Sequence, residues 1–204
     1  MRHLIITLSF CLVLCCFAEE AMCQLPKPHY HPDPSDPDWL RAAVQFHGHL
    51  GPWATAGLRA GMAARRAVGA EGYFDVAVTV EGPLVKPPHS CFLDGLQVST
   101  GATLGKRNLT WVKADRIVVR VKNTRTGKVA EVRPTPVLLR LLTSFKPQPR
   151  NAEAKEADQH DHHEQDGNGT GVGRSPDTPS LEAIARQIAA MPQKEVLQVK
   201  LVDK

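Results

Sequence analysis

The sequence predicts an α+β domain: one core of packed helices and a mixed or antiparallel sheet, interrupted by a disordered insertion. Three observations carry this. Apolar residues recur at helical spacing around Trp39–Val44 and Leu181–Ile188. They alternate at strand spacing around Phe74–Val80. Polar, proline- and glycine-containing stretches separate the periodic segments. The chain has 204 residues, 42% hydrophobic and 23% charged, enough for one core plus extensions.

Taken in order, Met1, Arg2 and His3 precede an apolar run from Leu4 to Ala18. A basic start and a short apolar core describe a secretory signal peptide over residues 1–23. Cleavage is expected after Ala18 or after Cys23, giving a periplasmic or extracellular protein. The residues before Cys16 and Cys23 suit a lipoprotein anchor poorly. No later apolar run is long enough to span a membrane. Four of the five cysteines, Cys11, Cys15, Cys16 and Cys23, fall in the leader. Cleavage after Cys23 leaves Cys91, which has no internal disulfide partner.

Residues 24–38 read as a proline-rich, extended lead-in, and residues 39–146 as the body of the core. Trp39, Leu40, Ala43 and Val44 predict a helix with Asp38 as its N-cap. Phe46 to Pro52 is a turn-rich break. Ala54 to Val68 predicts a second helix, whose small residues permit close backbone packing. Phe74, Val76, Val78 and Val80 alternate as a half-buried strand. Pro83, Pro87 and Pro88 mark a loop, and Ser90 is placed to cap a helix from Cys91 to about Thr100. A loop follows at Gly101–Lys106. Leu109–Val112, Ile117–Lys122 and Val129–Val132 read as strands, and Pro136–Leu142 as a helix.

Residues 147–180 hold three basic and seven acidic residues and almost no large apolar ones, a composition that predicts disorder. Order resumes with a helix from Leu181 to Met191, capped by Ser180, and a strand through Val196, Val199 and Leu201. Residues 181–204 therefore complete the core, and the polar stretch is an insertion. The net charge of +4 is too mild for a nucleic-acid partner. It conceals a −4 insertion and a remainder of 21 basic and 12 acidic residues, an excess that suits a small anionic ligand.

Candidate chemistry gathers in two places. His47 and His49 flank one glycine, so two imidazoles can face one metal, with Cys91 adding a thiolate. Asp94 lies one helical turn beyond Cys91. The competing reading makes one histidine a helix cap and the other a satisfied core residue. The second place is Gly101–Asn108, where glycines, a hydroxyl and two cations could hold a phosphate or carboxylate; the competing reading is a tight turn. A separate His160-Asp161-His162-His163-Glu164 tract is a weak metal binder by composition or a solvated linker.

Four blocks of the sequence together are more specific than any one motif. They are Phe46-His47-Gly48-His49-Leu50-Gly51-Pro52, Gly57-Leu58-Arg59-Ala60-Gly61, Lys86-Pro87-Pro88-His89-Ser90-Cys91-Phe92-Leu93-Asp94-Gly95-Leu96-Gln97 and Ser99-Thr100-Gly101-Ala102-Thr103-Leu104-Gly105-Lys106-Arg107-Asn108-Leu109. They resemble the FmdE family of formylmethanofuran dehydrogenase proteins over roughly residues 39–145, and Leu181–Val202 resembles the end of the same core. The resemblance implies an α+β core holding a metal, commonly zinc. It implies His47, His49 and Cys91 near that metal, with Asp94, Gln97, Thr103, Lys106 and Asn108 around a ligand pocket. Many relatives have a cysteine where Gly51 stands, and many where Ala102 stands. Fewer thiols argue against a redox or cluster site, and no pterin-binding apparatus is recognisable.

The expected function is therefore an exported metal-binding protein with a Cys/His site beside a small-ligand pocket. The metal would be zinc or another divalent transition metal. The alternatives are a metal-dependent enzyme acting on a carbonyl-type or one-carbon substrate, or an accessory subunit of an oxidoreductase. In the enzyme, Asp94 would accept a proton and Lys106 would stabilise negative charge. A second copy of the chain is a candidate partner.

Overall fold

The computed structural model describes residues 25–144 and 180–202. The expected leader lies outside the described residues, as do the expected insertion (Ser180 apart) and its histidine tract.

Among the described residues, six helices and five strands follow in order: α1 Asp38–His47, α2 Pro52–Val68, β1 Val76–Gly82, α3 Cys91–Thr100, β2 Leu109–Lys113, β3 Val118–Asn123, β4 Val129–Pro134, α4 Pro136–Ser144, α5 Leu181–Ala190, α6 Gln193–Val196 and β5 Leu197–Val202. The fold is α+β. The sheet order is β2-β1-β3-β4-β5. β1 and β2 run parallel, which a crossover through α3 allows; the other neighbours are antiparallel. The sheet is therefore mixed.

Strand alternation sets the core. Val76, Val78 and Val80 of β1 are all buried, and register pairs Val80 with Val119 and Val119 with Val132. Ala60, Ala63, Ala64 and Val68 of α2 belong to the same cluster. The other sheet face carries Arg120, ion-paired with Glu81 and Glu131, and exposed Thr79 and Lys122. Among the described residues no helix is long and apolar enough to cross a membrane.

Helices α2 and α3 cross at glycines. A Cβ at Gly57 would overlap the Phe92 carbonyl, one at Gly95 the Ala54 carbonyl, and one at Gly61 the Ser99 hydroxyl. This meets the expectation that small residues in α2 allow close backbone approach.

Several boundaries differ from expectation. Pro37, not Asp38, is the N-cap of α1. Its carbonyl accepts from Leu40 and Arg41, while the Asp38 carboxylate pairs with Arg41 at 2.9 Å. Ser90 does not cap α3 with its side chain; backbone bonds from Ser90 to Lys86 and from Leu93 to Ser90 wind into the helix instead. Ser180 does cap α5, its Oγ accepting from the Ala183 N–H at 3.0 Å. β1 begins at Val76 rather than Phe74, because the Asn108 amide takes the Tyr73 and Val76 carbonyls. Phe74 is left exposed. The short α6 takes Val196 out of the expected last strand.

Residues 25–37 form a strap across the helices. The His29 N–H donates to the Gly48 carbonyl at 2.7 Å, and His29 bridges His49 in parallel register. Farther along, the buried Asp36 carboxylate receives Arg186 of α5 on both oxygens, at 2.8 and 2.9 Å. Tyr30 Oη also donates to Asp36, and Arg186 reaches the His31 carbonyl. The Arg186 hydrogen bonds push the Asp36 carboxyl down to about 2.

That shift predicts a pH effect. A folded pKa below the unfolded one contributes stability that is complete above about pH 4 and is lost as the pH falls through about 2. At neutral pH, Asp36→Asn is expected to lose about 2 kcal/mol. Urea midpoints should show that gap between wild type and variant closing across the same acid window.

Candidate functional site

The turn between α1 and α2 places two imidazoles side by side. α1 ends at His47, and Gly48, at φ 88°, caps it in the left-handed region, which glycine enters without steric cost. The chain then reverses through His49 into Gly51, the N-cap of α2. The His47 and His49 rings lie 4.4 Å apart between centroids. A Cβ added at Gly51 would lie 3.0 Å from His49 Nε2 and 3.8 Å from His47 Nε2. Both Nε2 atoms therefore converge above Gly51.

His47 is held from behind. Its Nδ1 is 2.7 Å from Asp94 Oδ2, and its side chain is only 8% exposed. Its Nε2 is buried and has no hydrogen-bond partner in the structure. The Asp94 hydrogen bond raises the His47 pKa to about 9, with the Cys91 sulfur adding to the effect against burial. The sulfur is close enough to favour the imidazolium, although no hydrogen bond of ordinary geometry joins it to Nε2. His49 shifts down, first through burial and then through the His47 charge.

Cys91, the first residue of α3, stands on the same wall. A cavity of about 310 Å³ is bounded by His47, His49, Cys91, Trp53, Leu142 and Leu181, with Pro87 and Pro88 among its other walls. The histidines and Cys91 supply nitrogen and sulfur atoms to a lining that is otherwise mainly apolar. His89 packs edge-on against Trp53 at 4.5 Å. On the far side of His47 and Cys91 lies a second cavity of about 410 Å³, which includes Ser90, Asp94, Gln97 and Trp111.

The structure brings His47, His49, Cys91 and Asp94 together, with Gln97 beside Asp94. It does not bring Thr103, Lys106 or Asn108 to either cavity. The Thr103 N–H donates to Asn108 Oδ1, the Lys106 N–H donates to Thr103 Oγ1, and the Asn108 amide holds the Tyr73 and Val76 carbonyls. Lys106 Nζ lies over the Phe74 ring. These bonds shape the loop itself. The sequence reading missed Trp53, Leu142 and Leu181 as cavity walls. Leu142 and Leu181 are far apart in sequence, and no local spacing connects them.

The family described as "FmdE, Molybdenum formylmethanofuran dehydrogenase operon" matches residues 46–198. The chain belongs to the FmdE family. The description ties that family to the operon of a molybdenum-containing enzyme system. A relative from Archaeoglobus fulgidus, called a probable S-adenosyl-L-methionine-binding protein, is 28% identical over 93 residues. The alignment covers 46% of this chain and 25% of the relative, so the FmdE chain spans about a quarter of that protein's length.

Metal fit rests on the donors themselves. Among the described residues, no group of three or more His, Cys, Asp or Glu side chains stands ready-arranged as a metal site. The orphaned His47 Nε2 is nonetheless the atom a divalent cation would satisfy. Asp94 on Nδ1 supplies the carboxylate–histidine arrangement that typically orients a metal-ligating imidazole. Two imidazoles and a thiol suit zinc and similar borderline ions.

Proposed function

We propose that this is an exported protein that holds zinc or a similar divalent ion through His47 Nε2, His49 Nε2 and Cys91 Sγ, beside a chamber for a small ligand. The buried, unpartnered His47 Nε2 carries this reading, because burying such an atom without a partner costs about 1–3 kcal/mol. Asp94 holds the proton on Nδ1, so a bound ion would displace the Nε2 proton of the imidazolium and take that lone pair. Trp53, Pro87, Leu142 and Leu181 exclude water and favour a ligand with an apolar body. The bound ion would supply Lewis acidity at the chamber wall. Export is supported by the basic start and short apolar run of residues 1–18.

Metal analysis tests the reading. Purified wild-type protein is expected to carry roughly one equivalent of metal per chain, and His49→Ala and Cys91→Ala to lose most of it. Equal, negligible metal in all three would overturn it.

A further inference from the structure

The strap of residues 25–37 precedes the family match, which starts at residue 46. It nevertheless touches the chamber's surroundings at two points. At one end, the His29 N–H holds the Gly48 carbonyl, the peptide between the two histidines. At the other, Asp36 and the His31 carbonyl hold Arg186 of α5, while Glu182 accepts from the His31 N–H at 3.1 Å. α5 begins with Leu181, which lines the same chamber as the two histidines.

We propose that the Asp36–Arg186 clasp is a positioning device that sets the width of the chamber by tying the His47–His49 turn to the Leu181 wall. Asp36 and Arg186 are positioning residues; neither lines the chamber. A charged clasp suits this task. Arg186 binds both carboxylate oxygens in a fixed fork, which fixes direction as well as distance. An apolar contact would allow sliding. Tyr30 of the strap, Trp39 and Leu40 of α1 and Ala185 of α5 also belong to one apolar cluster, so the clasp locks elements that already share a core. The inference rests on the chamber being the functional pocket, but not on the metal.

Access of a thiol reagent to Cys91 tests it. The full chain is kept metal-free, and modification of the Cys91 peptide is followed by mass spectrometry. Asp36→Asn and Arg186→Met are expected to raise the Cys91 rate about tenfold at unchanged far-UV circular dichroism. Arg59→Lys is the control. Arg59 anchors the other end of α5, donating to the Ile188, Ala189 and Met191 carbonyls, and has no bond to the strap. Its variant should lower the melting temperature while leaving the Cys91 rate near wild type. Equal acceleration in all three variants, or no acceleration in Asp36→Asn, would overturn the proposal by reducing the clasp to general stability. Because no metal is present, the result stands apart from the metal analysis above.

Discussion

Gly95→Ala is expected to cost more than about 3 kcal/mol, or to prevent folding altogether. The added methyl would overlap the Ala54 carbonyl, and the Leu58 amide nitrogen also crowds the position. Both are backbone atoms inside α2, so no side chain can swing aside. Relief requires α3 to move away from α2, and that movement would expose Phe92 and Leu96, which are fully buried. It would also carry Cys91 away from His47, because Cys91 opens the same helix. The variant should therefore lose thermal stability and metal together. Gly105→Ala is the matching control, since only the Thr103 hydroxyl lies near its added Cβ, at 3.9 Å. A Gly95→Ala protein that melts within a few degrees of wild type would contradict the crossing.

Gly51→Cys is expected to raise zinc affinity by tenfold or more, because it adds a thiolate to a site with few donors. The backbone there is extended, φ −113° and ψ 141°, so a side chain introduces no strain. Its Cβ would point between the two Nε2 atoms, 3.0 Å from that of His49. His49 lies in the turn rather than in a helix, so a shift of a few tenths of an ångström accommodates the contact. This is also the position where relatives by resemblance carry a cysteine. Competition with a chromophoric chelator measures the gain. Unchanged affinity would place the metal somewhere other than above Gly51.

Much of the fold was legible because its signals are local. The alternating valines of β1 and the Ser180 cap are patterns within a few positions, and the small residues of α2 stand out in its own sequence although they act on α3. Boundaries were less legible where a distant group intervened. Phe74 lies in an alternating run, yet Asn108, 34 positions later in sequence, takes the Tyr73 and Val76 carbonyls, and the strand starts only at Val76. The site divides in the same way. His47, His49, Cys91 and Asp94 belong to two compact blocks, and the fold brings those blocks together. Thr103 and Asn108 have equally suggestive types, but their side chains bond to their own loop and, for Asn108, to the Tyr73 and Val76 carbonyls. The chamber's apolar walls come from α2, α4 and α5, and only the assembled fold joins them.

Every group facing the chamber sits at or near the end of an element. His47 closes α1, Cys91 opens α3, Trp53 is second in α2, Leu142 lies near the end of α4, and Leu181 opens α5. None belongs to the sheet. Chemistry and scaffold are thus separable: the termini that face the pocket can be rewritten while the strand ladder stays as it is. A fold arranged in this way fixes shape more firmly than it fixes reaction.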